Sequence, residues 1–146
     1  MSDLAFVSQY DKHPEIKIRG HDDAIFNGID MIRKHLMAHR HGVLCLECYP
    51  GVDLDVLKKD LVTALQPDLV INMEDYSKSG LEIDDMIKDN LTEDRVFGYM
   101  SDHRIGDFYK EADLMRVKQL IKPDDFVIIY GFGASLLPCK TLVHIG

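Results

Sequence analysis

Three short hydrophobic runs, each ending in a polar or glycine-bearing turn, constrain this chain more than any other feature. Val43-Leu44-Cys45-Leu46 leads into Glu47-Cys48-Tyr49-Pro50-Gly51-Val52-Asp53, and Asp68-Leu69-Val70-Ile71 leads towards Glu74-Asp75-Tyr76. Phe126-Val127-Ile128-Ile129 leads into Tyr130-Gly131-Phe132-Gly133-Ala134-Ser135. Runs without polar alternation belong to strands covered on both faces, as in parallel sheets flanked by helices. The pattern predicts an α/β domain: three layers, a mainly parallel sheet, and helices on both faces. Ligands of such sheets bind outside the carboxyl ends of the strands, so the three turns are expected to converge on one edge.

A chain of 146 residues with 46% hydrophobic content suffices for one domain, here 1–146. The 25 acidic and 17 basic residues give a formal net charge of -8, which argues against nucleic acid and anionic membranes as partners. Met1 to Tyr10 lacks a cationic segment followed by a long apolar run, and no stretch approaches the roughly 18 apolar residues of a spanning helix. Cys45, Cys48 and Cys139 are odd in number, and two of them lie in or beside an expected buried strand. A reducing, cytoplasmic setting is expected.

Between the strands the periodicity predicts helices. Ile16-Lys17-Ile18 reads as a short extended segment, and Gly20-His21-Asp22-Asp23 offers a helix start capped by Asp. Ile25, Ile29, Ile32 and Leu36 then share one helical face, with Arg33, Lys34 and His35 near its carboxyl end. Leu54, Leu57, Leu61 and Leu65 form a second stripe, closed by Pro67. Ile83, Met86, Ile87 and Leu91 mark a surface helix within the charged stretch 78–95. Leu114, Val117 and Ile121 mark another within 107–121. Thr141 to Ile145 reads as a fourth strand. Such a strand without a following helix predicts a piece of a longer protein or a partner shielding the edge.

The turns carry the candidate chemistry. Tyr49-Pro50-Gly51 stands where a phosphate loop would stand, but Val52 and Asp53 follow instead of the Lys and Ser/Thr that grip a triphosphate and its magnesium. Asp53 and Asp55 are expected to occupy the next helix's amino end themselves, where a carboxylate repels phosphate. Tyr130-Gly131 follows the third run where a kinase of this layout often carries a magnesium-binding acid. Glu47, Glu74 and Asp75 are read either as capping and turn-forming carboxylates or as ligand-binding groups on one edge. Gly131, Gly133 and Ser135 belong either to an anion-binding nest or to a turn needing backbone freedom. Ligand-binding candidates are therefore Glu47, Tyr49, Gly51, Asp53, Glu74, Asp75, Gly131, Gly133 and Ser135, with Asp75 the candidate catalytic base. No cofactor or metal is predicted. His39-Arg40-His41 with Glu47 reads as a solvated helix terminus, and Cys45-Leu46-Glu47-Cys48 as structural, since residues three apart on a strand face opposite ways. Asp102-His103-Arg104 and Asp107 read as a polar loop, with no nucleophile partner identified for His103.

Tyr10-Asp11-Lys12-His13-Pro14, Glu47-Cys48-Tyr49-Pro50-Gly51-Val52-Asp53, Pro67 to Ile71 with Glu74-Asp75, Asp94 to Gly98, and Tyr130 to Leu136 together resemble the amino-terminal domain of long bacterial proteins labelled class I mannose-6-phosphate isomerase. The resemblance implies a carbohydrate-metabolism setting, with isomerase chemistry in a downstream zinc-holding cupin domain absent from this chain. It also implies a layout similar to uridine-kinase-like P-loop proteins, with Glu74-Asp75-Tyr76 at the acceptor-site segment. The departures at Val52, Asp53 and Tyr130 fall on the nucleotide and magnesium positions. Three readings follow. One is a non-catalytic or weakly ligand-binding kinase-like domain taking a sugar phosphate or nucleotide, or docking to a sugar-phosphate isomerase. The second is an active nucleoside or sugar kinase with an atypical phosphate loop. The third is a structural homo-oligomerisation domain.

Overall fold

Strands that are apolar at every position need cover on two sides, and the arrangement of this chain supplies it. A computed structural model describes residues 14, 19–20, 24–94 and 96–146. The Ile16-Lys17-Ile18 segment, the Asp22-Asp23 cap, most of the Tyr10 to Pro14 string and Arg95 lie outside the described residues. β1 (Val43–Cys48), β2 (Leu69–Asn72), β3 (Val127–Gly131) and β4 (Thr141–Ile145) form one all-parallel sheet in the order β2-β3-β1-β4. Leu46 lies between Tyr130 and Val143, and Glu47 between Gly131 and His144, so β1 ends in the middle of the sheet's carboxyl edge. All strand ends share that edge, as the three turns predicted.

The period of two divides each strand between two cores. On one face Leu44, Leu46, Ile128 and Tyr130 pack with Leu36 of α1 (Ile29–Met37) and with Leu61, Val62 and Leu65. On the other, Cys45, Ile71, Val127 and Ile129 pack with Met73, Tyr109, Ala134, Leu137 and Val117 of α4 (Glu111–Leu120). Helices thus cover both faces.

Local chemistry explains most element boundaries. Helix α1 starts at Ile29 rather than near Asp22, because Gly28 holds φ 87° in a region that turns the chain out of a right-handed helix. Ile25 therefore leaves the predicted stripe and is exposed. The second helix opens as α2 (Leu54–Leu57), with the Asp53 carboxylate accepting from the amides of Asp55 and Val56 at 3.1 and 3.0 Å. It continues through a π turn (Lys58–Val62) and a 3-10 turn (Thr63–Leu65), keeping Leu54, Leu57, Leu61 and Leu65 on the core side. Gln66, in the left-handed region, ends it immediately before Pro67. The surface helix α3 (Gly80–Ile87) has a reciprocal Ser79/Glu82 capping box, and Lys110 pairs with Glu82 at 2.7 Å. The Lys110 ammonium and the Ser79 bonds hold the Glu82 carboxyl down to about 2. Leu91 lies beyond that helix and is exposed, and a 3-10 turn (Ile105–Phe108) precedes α4.

β3 extends to Gly131, past its apolar run, because its ladder to β1 continues through Tyr130 and Gly131. β2 starts at Leu69, one residue after the start of its run, and Asp68 instead ties the strand starts together, its carboxylate accepting from the Phe126 amide at 2.8 Å. Among the described residues no helix is long and apolar enough to cross a membrane.

Leu46 is fully buried in the central strand, while Val70 on edge strand β2 is 39% exposed. Leu46→Ala is expected to lower unfolding free energy by about 2–5 kcal/mol, against about 1 kcal/mol or less for Val70→Ala. Urea denaturation measures both.

Candidate functional site

The sheet's carboxyl edge is organised around one buried carboxylate. Glu47 is 7% exposed at the penultimate position of β1, and among the described residues it is the buried charged side chain. One carboxylate oxygen accepts from the Gly133 amide at 2.7 Å, the other from the Ser135 amide at 2.6 Å. Bonds from amides to an ionised acceptor are the stronger kind, and these two join the end of β1 to the connection between β3 and β4. Among the described residues no Lys, Arg or His forms an ion pair with Glu47. Of the two readings of the Gly131 to Ser135 turn, anion binding or backbone freedom, both features are present: the amides of Gly133 and Ser135 hold an anion, and that anion is the protein's own carboxylate.

Sequence determines why the connection can take this path. Gly133 has φ 83°, and a Cβ there would lie 2.6–2.8 Å from Tyr109 ring and hydroxyl atoms, so both the conformation and the space require glycine. The Tyr109 hydroxyl donates to the Phe132 carbonyl, and Phe108 meets Phe132 edge-on at 5.7 Å between ring centres. Burial, then the charges of Glu47 and Glu74, push the Tyr109 phenol up to about 12. Burial also raises the Cys48 thiol, against a backbone bond at Gly131 that lowers it and with Glu47 adding to the rise. Cys45 is raised by burial first, then by neighbouring Cys139 and Glu47. Neither buried thiol has the depressed pKa of a nucleophile.

A groove of about 490 Å³ opens beside this carboxylate. Glu47, Cys48, Tyr49, Pro50, Ile105, Phe132, Ser135, His144, Ile145 and Gly146 line it, and most of that wall is apolar. Tyr49 forms part of the rim, its amide donating to Ile145 at 2.8 Å while its side chain remains 74% exposed. Of the candidate residues, Glu47, Tyr49 and Ser135 line the groove, and Gly133 holds Glu47. Ile105, Phe132, His144 and Ile145 were missed in the sequence. Phe132 sits between two glycines in the third turn, but no periodic signal joins Ile105 to the strand ends.

The remaining candidates lie elsewhere on the edge. Glu74 and Asp75 are exposed in a 3-10 turn after β2 (Met73–Tyr76), where Asn72 accepts from the Glu74 amide at 3.2 Å. Gly131, at φ 109°, passes this turn so closely that a Cβ would stand 3.2 Å from the Asn72 side-chain oxygen. Tyr130 is raised by burial and then by the charges of Asp75 and Asp55, so acidic groups gather near its hydroxyl. Gly51 has φ 102° in an open turn, and Asp53 is committed to its own helix. His39 approaches the His35 carbonyl through Nδ1 at 2.9 Å. Among the described residues no three His, Cys, Asp or Glu side chains are grouped to hold a metal ion. For His103 the sequence reading needs correction: Ser101 Oγ lies 2.6 Å from its Nδ1. That contact spans two residues of a local turn in which Oγ also accepts from the His103 amide, so chain geometry brings the pair together.

Gly133→Ala is expected to cost about 3 kcal/mol or more, since strain at positive φ adds to the ring collision; thermal unfolding measures it. Tyr109 yields a second expectation. Its folded-state pKa of about 12 exceeds the ordinary value of 10.0, so between those pH values the unfolded chain releases a proton that the folded chain retains. Stability falls as pH rises through that window, and Tyr109→Phe should flatten the fall in urea midpoints recorded across it.

Comparisons with curated proteins and with solved structures return no match. Residues 28–145, spanning the sheet, both cores and all of the groove lining but Gly146, match a family described as a domain of unknown function, DUF8485, and the chain belongs to that family.

Proposed function

We propose that this chain is a non-catalytic domain of P-loop-kinase-like layout that serves as a docking or regulatory module for sugar-phosphate isomerase proteins and holds nucleotides or sugar phosphates weakly at most. The observation that carries the loss of catalysis is the pair of bonds from Gly133 and Ser135 to Glu47. A phosphoryl-transfer site uses backbone amides and a lysine to offset phosphate charge, with a hydroxyl and an acid to hold magnesium. Here the nest amides already bind a carboxylate, and Asp53 accepts from the two amides at the start of α2. No Lys or Arg lines the groove. Both positions where a phosphate would gain from positive potential are spent on internal anions.

Support for the kinase-like layout comes from the parallel sheet, in which the Tyr49 to Asp53 turn joins β1 to a helix at the place of a phosphate loop. The association with sugar-phosphate isomerisation rests on the resemblance of the Glu47 to Asp53 string and its companion segments. Isothermal titration with ATP and magnesium is expected to give a Kd weaker than ~1 mM. Micromolar, magnesium-dependent binding overturns the proposal, and phosphoryl transfer to a sugar or nucleoside that Asp75→Asn abolishes would establish an active kinase instead.

A further inference from the structure

The groove at the β1 and β4 ends combines an apolar wall, two aromatic rings and a buried carboxylate with no ion-pair partner among the described residues. From that combination we infer that it is a binding site for a small organic cation: a primary ammonium on an apolar or aromatic body.

Charge decides between ligand classes. The Glu47 carboxylate forms part of the wall it shares with Phe132 and Ser135, and the lining contains no Lys or Arg. An anion entering there would meet hydroxyl, thiol and imidazole groups of Tyr49, Ser135, Cys48 and His144 but no Lys or Arg against that charge. A cation gains on three counts. It approaches a carboxylate screened from water, where attraction is stronger than in bulk solvent. The Tyr49 and Phe132 rings line the same groove and can add cation–π attraction. Its apolar body covers Ile105 and Ile145, which a hydrophilic ligand would leave wet. The two amide bonds do not consume the carboxylate, because each oxygen has a further lone pair. Size agrees, since about 490 Å³ falls within the range of small-molecule clefts.

This inference goes beyond the proposed docking role and fails separately from it, since magnesium and ATP test one and amines the other. The probe is phenethylamine, protonated at neutral pH, compared with uncharged 2-phenylethanol and with phenyl phosphate by NMR titration of the full chain. The amine is expected to shift resonances of Tyr49, Phe132 and Ile145 saturably at concentrations of ~1 mM. The alcohol should bind about tenfold more weakly and the phosphate more weakly still. Tyr49→Ala should weaken the amine about fivefold with an unchanged urea midpoint, because that side chain is 74% exposed. Glu47→Gln, if it folds, should remove the preference for amine over alcohol. If it does not fold, the ligand series and Tyr49→Ala still decide. Alcohol binding as tight as amine binding, shifts confined to residues outside the groove, or an undiminished affinity in Tyr49→Ala overturns the inference.

Discussion

Much of this structure depends on one carboxylate that the fold withdraws almost entirely from solvent. Burying an ionised group costs several kcal/mol, and a hydrogen bond to a charged acceptor returns about 1.5–3 kcal/mol, so the two amides of Gly133 and Ser135 roughly offset the burial of Glu47. The contact's main effect is therefore geometric. Parallel strands are ordinarily joined by a crossover of a dozen or more residues, usually containing an α-helix, whereas residues 132–140 return the chain from β3 to β4 with only a three-residue 3-10 turn, Ala134–Leu136. Held by Glu47 at its start, that short connection lays Ala134, Leu137 and Cys139 over Cys45 and provides the cover a helix would have given. Gly133 and Tyr109 complete the arrangement, one by its conformation and the other by filling the space beside it.

The same contact fixes the electrostatic character of the edge. A nest of amides and the start of a helix are the two features by which a sheet of this kind attracts phosphate. Glu47 occupies the first and Asp53 the second, so the positive potential of both is neutralised before any ligand arrives. The direction of every buried neighbour's shift agrees: Tyr109, Cys45 and Cys48 are all held towards their neutral forms, burial contributing most and Glu47 adding to it.

The sheet was legible because its signals are local. β1 and β4 begin where the apolar runs begin, and the Leu54 to Leu65 stripe packs as its spacing requires. Asp53 was readable as a cap from its place before that stripe. The first helix was misread at Ile25 because periodicity cannot register a backbone reversal at Gly28, which a single glycine in a polar context does not announce. Within the site, sequence reading left Glu47 between a capping carboxylate and a ligand-binding group, and Gly131 to Ser135 between a nest and a flexible turn. Their union depends on β1 and β3 being neighbours in register, and the partners of Glu47 stand 86 and 88 positions away in the chain. Ile105 and His144 were hidden for the same reason, as the groove exists only once β4 lies beside β1.

That strand order also divides the edge into two unlike halves. Beside β2 and β3, Glu74 and Asp75 are exposed near Tyr130, and water screens their charges at little cost to the fold. Beside β1 and β4, the single charge of Glu47 lies in a largely apolar wall where water screens it less. Coulomb attraction grows as the surrounding dielectric falls, so one buried carboxylate gives the second half more discriminating power than several solvated ones give the first. The acidic residues most conspicuous in the sequence are thus the less selective ones, and selectivity on this edge follows the side chain that the strand order has withdrawn from solvent.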